Sequence, residues 1–139
     1  MLEFKSKSKK TDINVPLKFV SNILKNRSIA FIISDFISQD YSNSLKIFSS
    51  RHDVTGIRIY DKTEENIPNL GVIDINDNET GKRITVNTSS KKIRRKYNEY
   101  YNSKRREFVD YFKRSGSGII ECNTNDDYQK KLLKYFKSR

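Results

Sequence analysis

Three short apolar runs, each preceded by a stretch with helical spacing, constrain this chain more than any other feature. They are residues 28–34 (SIAFIIS), 53–60 (DVTGIRIY) and 118–122 (GIIEC). Each is too short for a confident helix and rich in β-branched residues. Their apolar positions are largely consecutive, the pattern of strands buried on both faces of a parallel sheet. Residues 13–26 read as a helix, with Ile13, Leu17, Val20 and Leu24 at helical spacing and Val15, Phe19 and Ile23 beside them. So wide an apolar face suits a helix laid on a sheet. Asp12 is placed to cap it, and Pro16 falls in the first turn, where a missing N–H costs little. Residues 40–51 form a second helix with Tyr41, Leu45 and Phe48 on one face. The alternation predicts right-handed βαβ connections, with residues 28–34 as a central strand. The expected fold class is α/β, a partial Rossmann-like parallel sheet flanked by helices.

The middle of the chain has a different rhythm. Residues 70–75 and 83–87 alternate apolar and polar around the turn Asp77-Asn78-Glu79-Thr80-Gly81, predicting an inserted β-hairpin appended to the sheet. A long helix follows, from a cap at Ser89 or Ser90 to a glycine stop at Gly116. Its apolar stripe is Ile93, Tyr97, Tyr101, Phe108 and Phe112. Thr124 and Asp127 suggest a capping box opening the last helix, which presents Tyr128, Leu132, Tyr135 and Phe136.

With 139 residues there is room for one domain. No stretch reaches the roughly 18 apolar residues of a membrane span, so no membrane partner is expected. Residues 1–10, MLEFKSKSKK, form a basic and flexible lead-in without the apolar core of a secretory signal. Cys122 is the single cysteine, so no disulfide forms within the chain and a cytoplasmic location is expected. Of the net charge of +11, residues 91–114 contribute +7 and residues 1–10 contribute +3. Such segments suit a polyanion or an acidic protein, and equally a solvated face.

Catalytic groups are sparse. His52 lies between a helix and a strand, where a packing or capping role fits better than that of a base. Cys122 sits in an apolar strand, as a small hydrophobe does. There is no glycine-rich phosphate loop, nucleophile elbow or Cys/His metal spacing. Asp35 and Asp61 each close a predicted parallel strand at its C-terminal end, the side on which open α/β sheets bind ligands. With hydroxyls from Ser34 and Thr11 they can offer Mg²⁺ an oxygen set completed by water, or each can cap its own turn. On the basic helix, Arg94, Arg95, Arg105 and Arg106 are candidate partner-binding residues. Its aromatics share one stripe and so read as core before base-stacking groups.

Several segments read together resemble a family. TDINVPLKFVSNILKNRSIAFIISDF, HDVTGIRIYDKTEENIPNLGVIDINDNETG, NTSSKKIRRKY and NTNDDYQKKLLKYFKSR resemble the C-terminal half of bacterial proteins of domain of unknown function 58. The resemblance implies that residues 11–139 form the C-terminal portion of a von Willebrand factor A-like domain. It implies an adhesion-type metal site in which Thr11 and Asp35 match two ligand positions. The D-x-S-x-S loop of that site is not in this chain, so the implied Mg²⁺ site is incomplete and no metal is expected in this chain alone. The resemblance further implies a truncated or split protein, association with a MoxR-type AAA+ ATPase, and help in assembling or activating other complexes.

The expectation is therefore a non-enzymatic protein-interaction module. Its partner is the ATPase or the absent N-terminal half, and it self-associates through an apolar edge at residues 28–34. Two rivals stand beside it: a nucleic-acid-binding protein using residues 91–114, and a Mg²⁺-dependent phosphoester hydrolase using Asp35 and Asp61.

Overall fold

The computed structural model describes residues 12–76 and 83–138. The basic lead-in, Thr11 and the hairpin turn at Asp77–Gly81 lie outside the described residues. The three apolar runs form strands β1 (Ile29–Ser34), β2 (Asp53–Tyr60) and β5 (Gly118–Asn123), all parallel, in the order β1-β2-β5. Ile29 pairs with Asp53 and Ser34 with Arg58, while Thr55 pairs with Gly118 and Tyr60 with Asn123. The α/β class is as expected. Among the described residues β2 takes the centre and β1 an edge, which departs from the central place its apolar run suggested and agrees with the apolar edge expected at residues 28–34.

Helix α1 (Asn14–Ile23) is shorter than expected. Asp12 Oδ1 accepts the Asn14 N–H at 2.9 Å, and Leu24 turns extended to lead the chain into β1. Helix α2 (Ser42–Ser49) begins where Asp40 accepts the Ser42 N–H at 2.8 Å. The 24-residue α4 (Lys91–Arg114) ends as foreseen at Gly116, whose φ of 69° lets the Ser117 N–H close on the Phe112 carbonyl. At its start Ser90 holds the cap position without bonding a backbone N–H through its side chain. Helix α5 (Tyr128–Lys137) is capped by Asp127, which accepts the Lys130 N–H at 3.1 Å; Thr124 takes no part in a box. A short α3 (Lys62–Glu65), capped by Asp61, was not foreseen.

The core has two sides. On one, Ile13, Leu17, Phe36, Tyr41, Leu45, Phe48, Phe108 and Phe112 bury against Val54, joining α1, α2 and α4 to the sheet. On the other, α5 places Leu132 and Tyr135 on Ile57, Ile120 and Cys122. Gly56 is what lets α4 approach so closely. A Cβ there would overlap the Phe112 ring and come within 2.9 Å of Phe108. The hairpin strands β3 (Val72–Asn76) and β4 (Arg83–Asn87) form a separate antiparallel sheet and are not appended to the parallel one. Thr88 anchors the hairpin base, accepting the Leu70 N–H at 2.9 Å and donating to the Gly71 carbonyl at 2.7 Å.

Candidate functional site

Alternation along a strand sends Ile29, Phe31 and Ile33 to the α5 side of the sheet, level with Asp53, Thr55 and Ile57 of β2. Helix α5 covers β2 and β5 there, and its Phe136 ring meets Phe31 of β1 edge-on at 5.9 Å. The three side chains are therefore 68%, 45% and 61% exposed. On the opposite face Ala30 and Ile32 border an apolar groove of about 360 Å³, walled by Ile13, Pro16, Leu17 and Val20 of the α1 segment. The wide face of α1 does not all lie on the sheet. Ile13 and Leu17 bury, whereas Val15, Phe19 and Ile23 stay exposed. Asn14, on the other flank of α1, accepts the Ser44 Oγ–H of α2 at 2.6 Å and donates to the Asp40 carbonyl at 2.9 Å.

Among the described residues no strand pairs with the outer side of β1. The Asp53 N–H donates to the Ser28 carbonyl at 2.9 Å, which sets the phase of the β1–β2 ladder. Alternate residues then direct the N–H groups of Ala30, Ile32 and Ser34 toward β2. The N–H and C=O groups of Ile29, Phe31 and Ile33 point away from it, along the edge that is free among the described residues. The Ser28 N–H is held by His52 Nδ1 at 3.3 Å, so the only histidine finishes the ladder as a buried acceptor.

Among the candidate metal ligands, Asp35 and Asp61 each bond the turn that follows its strand. Asp35 folds back on its own turn, its Oδ1 accepting the Ile37 N–H at 3.1 Å and the Ser34 hydroxyl at 3.3 Å. Ser34 Oγ in turn accepts the Phe36 N–H at 3.1 Å. Asp61 accepts the Thr63 N–H and hydroxyl, both at 2.8 Å, and these bonds hold its carboxyl below the usual aspartate range. The β1–β2 register ends with Ser34 level with Arg58, so Asp35 leaves the sheet while β2 still runs through Ile59 and Tyr60 to Asp61. Among the described residues no three acidic, histidine or cysteine groups cluster for a metal. Thr11 lies outside the described residues.

The four candidate arginines separate into two pairs. Arg94 donates to the Thr88 carbonyl and so ties α4 to the hairpin base. Arg105 grips Glu121 of β5 with two bonds, at 2.8 and 3.0 Å. Arg95 and Arg106 lie on the exposed face, Arg95 paired to Glu99 at 3.5 Å. Tyr101, Phe108 and Phe112 are buried and so are not available to stack on bases. Sequence reasoning passed over Arg58, which is buried between Glu121 at 3.4 Å and Glu65 at 3.6 Å and lies over the Tyr60 ring. The signal for it was a lone charge inside an apolar strand, which needs a charged partner at the matching register position. Among the described residues, no helix is long and apolar enough to cross a membrane.

A family model described as "Protein of unknown function DUF58" matches residues 1–107. The chain is 25% identical over 118 residues to an uncharacterized protein of Mycobacterium avium, covering 83% of this chain and 68% of that protein. Among solved structures it is similar to an aerotolerance-related membrane protein from Bacteroides fragilis carrying multiple mutations to serine. The TM-score is 0.46 at 14% identity, over 93% of this chain and 60% of that one, so this chain spans less than two thirds of that neighbour.

Proposed function

The chain belongs to the DUF58 family, and from that premise we propose that it works as a non-enzymatic protein-interaction module that binds a protein partner along the free edge of β1. One observation carries this reading: a strand with outward-facing backbone groups, three exposed apolar side chains on one face and an apolar groove on the other. Strand addition uses such an edge, with main-chain bonds supplying affinity and alternate side chains supplying specificity. The resemblance carried by the ISDF, HDV and D-N-E-T-G segments supports a role in assembling or activating protein complexes with a MoxR-type AAA+ ATPase. A complementary N-terminal portion of the same domain type is the other partner the reading admits. The single thiol of Cys122 supports a cytoplasmic location.

The test uses the part of the mycobacterial relative outside the matched 118 residues, co-expressed with this chain. Co-purification is expected, and Ile33→Lys is expected to abolish it while leaving the thermal midpoint nearly unchanged, since that side chain is 61% exposed. If neither this fragment nor a purified MoxR-type ATPase binds, the reading fails. Phosphoester turnover that disappears in Asp35→Asn would replace it with the hydrolase.

A further inference from the structure

We propose that a second copy of this chain occupies the free edge, with β1 paired to β1 in an antiparallel register centred on Phe31. The proposal rests on the reading of that edge as the interaction site. The phase of the ladder selects the register. Ile29, Phe31 and Ile33 are the residues whose N–H and C=O groups face outward, as the Asp53-to-Ser28 bond requires. A twofold axis at Phe31 sets Phe31 opposite itself and Ile29 opposite Ile33 of the second copy, in both directions. Every pair then matches outward-facing groups with outward-facing groups, giving about six interstrand hydrogen bonds. A slip of one residue faces these groups with carbonyls and amides already turned to β2. A slip of two preserves the phase but shortens the overlap.

Charge selects the same register. Between Arg27 and Asp35 the segment SIAFIIS carries no ionisable side chain, and both flanking residues are exposed. In the Phe31-centred register Arg27 stands at the position opposite Asp35 of the second copy, and the twofold axis repeats the pair at the other end. Rim pairs of this kind fix orientation and register more than they add affinity. Directly opposed residues in an antiparallel pair project to the same face. The rows Ile29, Phe31 and Ile33 of the two copies therefore merge into one apolar surface between the two α5 helices. A parallel pairing of identical edges has no twofold axis and would bring like charges together at each end.

Sedimentation of Arg27→Asp, Asp35→Arg and the double exchange tests the register. Wild type is expected to dimerise at micromolar concentration. Each single variant faces two like-charge pairs and should bind itself at least about tenfold more weakly. An equimolar mixture of the two single variants should dimerise again, because mixing restores both opposite-charge pairs, and the double exchange should dimerise alone. Single variants that dimerise like wild type, or a mixture that stays monomeric, overturn the register. A wild-type chain that stays monomeric yet takes up the mycobacterial fragment in an Ile33-dependent way overturns self-pairing and leaves the interaction reading standing. A monomer that takes up neither overturns both.

Discussion

Phe36 holds a backbone angle that its side-chain type rarely adopts, with φ at 58° immediately after the Asp35 turn. For a bulky residue this left-handed geometry costs about 1–3 kcal/mol and persists only where packing over-determines it. The packing is there: the ring is 1% exposed, lies 4.3 Å from Phe108, and meets Phe112 edge-on at 5.4 Å. Phe36→Ala should therefore lose about 3–5 kcal/mol of stability, the usual cost of emptying a buried phenyl site. Phe36→Gly should lose about 1 kcal/mol less, because glycine adopts positive φ freely. Denaturant titration of both variants checks this; equal losses would mean that the backbone at this turn is unstrained. The sequence marked ISDF as a strand end followed by a turn, and that is correct. It could not show which residue takes the left-handed angle, because the usual signal is a glycine or asparagine and here an aromatic is forced into the role by the core.

At the level of elements, the arginine-rich α4 was legible as a helix with a buried aromatic stripe and a glycine stop. The division of labour among its cations was not. Arg94 and Arg105 look like Arg95 and Arg106 in the sequence, but Arg94 reaches the Thr88 carbonyl just ahead of the helix and Arg105 reaches Glu121 of β5, contacts set by how the chain turns at either end of α4. The Arg105 guanidinium, bonded twice to Glu121, holds that carboxyl below its ordinary value of 4.5. A depressed folded-state value stabilises the fold above the unfolded-state value, and the contribution is lost as pH falls through the folded-state value. Arg105→Gln should accordingly be less stable than wild type near pH 7, and the two stability curves should draw together as pH falls through the depressed Glu121 value. Thermal melts across pH 3–8 check this; a gap that persists in acid would show that Arg105 acts through packing and not through the Glu121 charge. Replacing all four arginines together would confound binding with this structural pair, so Arg95 and Arg106 are the pair to alter when testing polyanion affinity.

For the whole molecule, the apolar runs disclosed a parallel α/β sheet and the helices that cover it, and local periodicity placed every strand of that sheet. Whether β1 has one neighbour or two is not a local property. A run such as SIAFIIS looks the same at the centre of a sheet and at its edge, since both faces are apolar either way. The hairpin likewise showed its two strands by alternation but not its separation from the main sheet, which depends on where Thr88 anchors it. Asp35 and Asp61 were legible as strand-end aspartates. Their commitment to neighbouring amides depends on the turns that follow, and α3 was hidden in too few residues to show a period.

The central claim is that β1 presents an open, adhesive edge, and amide hydrogen exchange resolved to single residues and followed over protein concentration tests it most directly. The N–H groups of Ala30, Ile32 and Ser34 should be protected at every concentration, because they face β2. Those of Ile29, Phe31 and Ile33 should exchange quickly in dilute solution and become protected as the concentration rises through the dimerisation range. Strong protection of Ile29, Phe31 and Ile33 even at the lowest concentration would contradict the account, since it would mean that the chain covers this edge by itself.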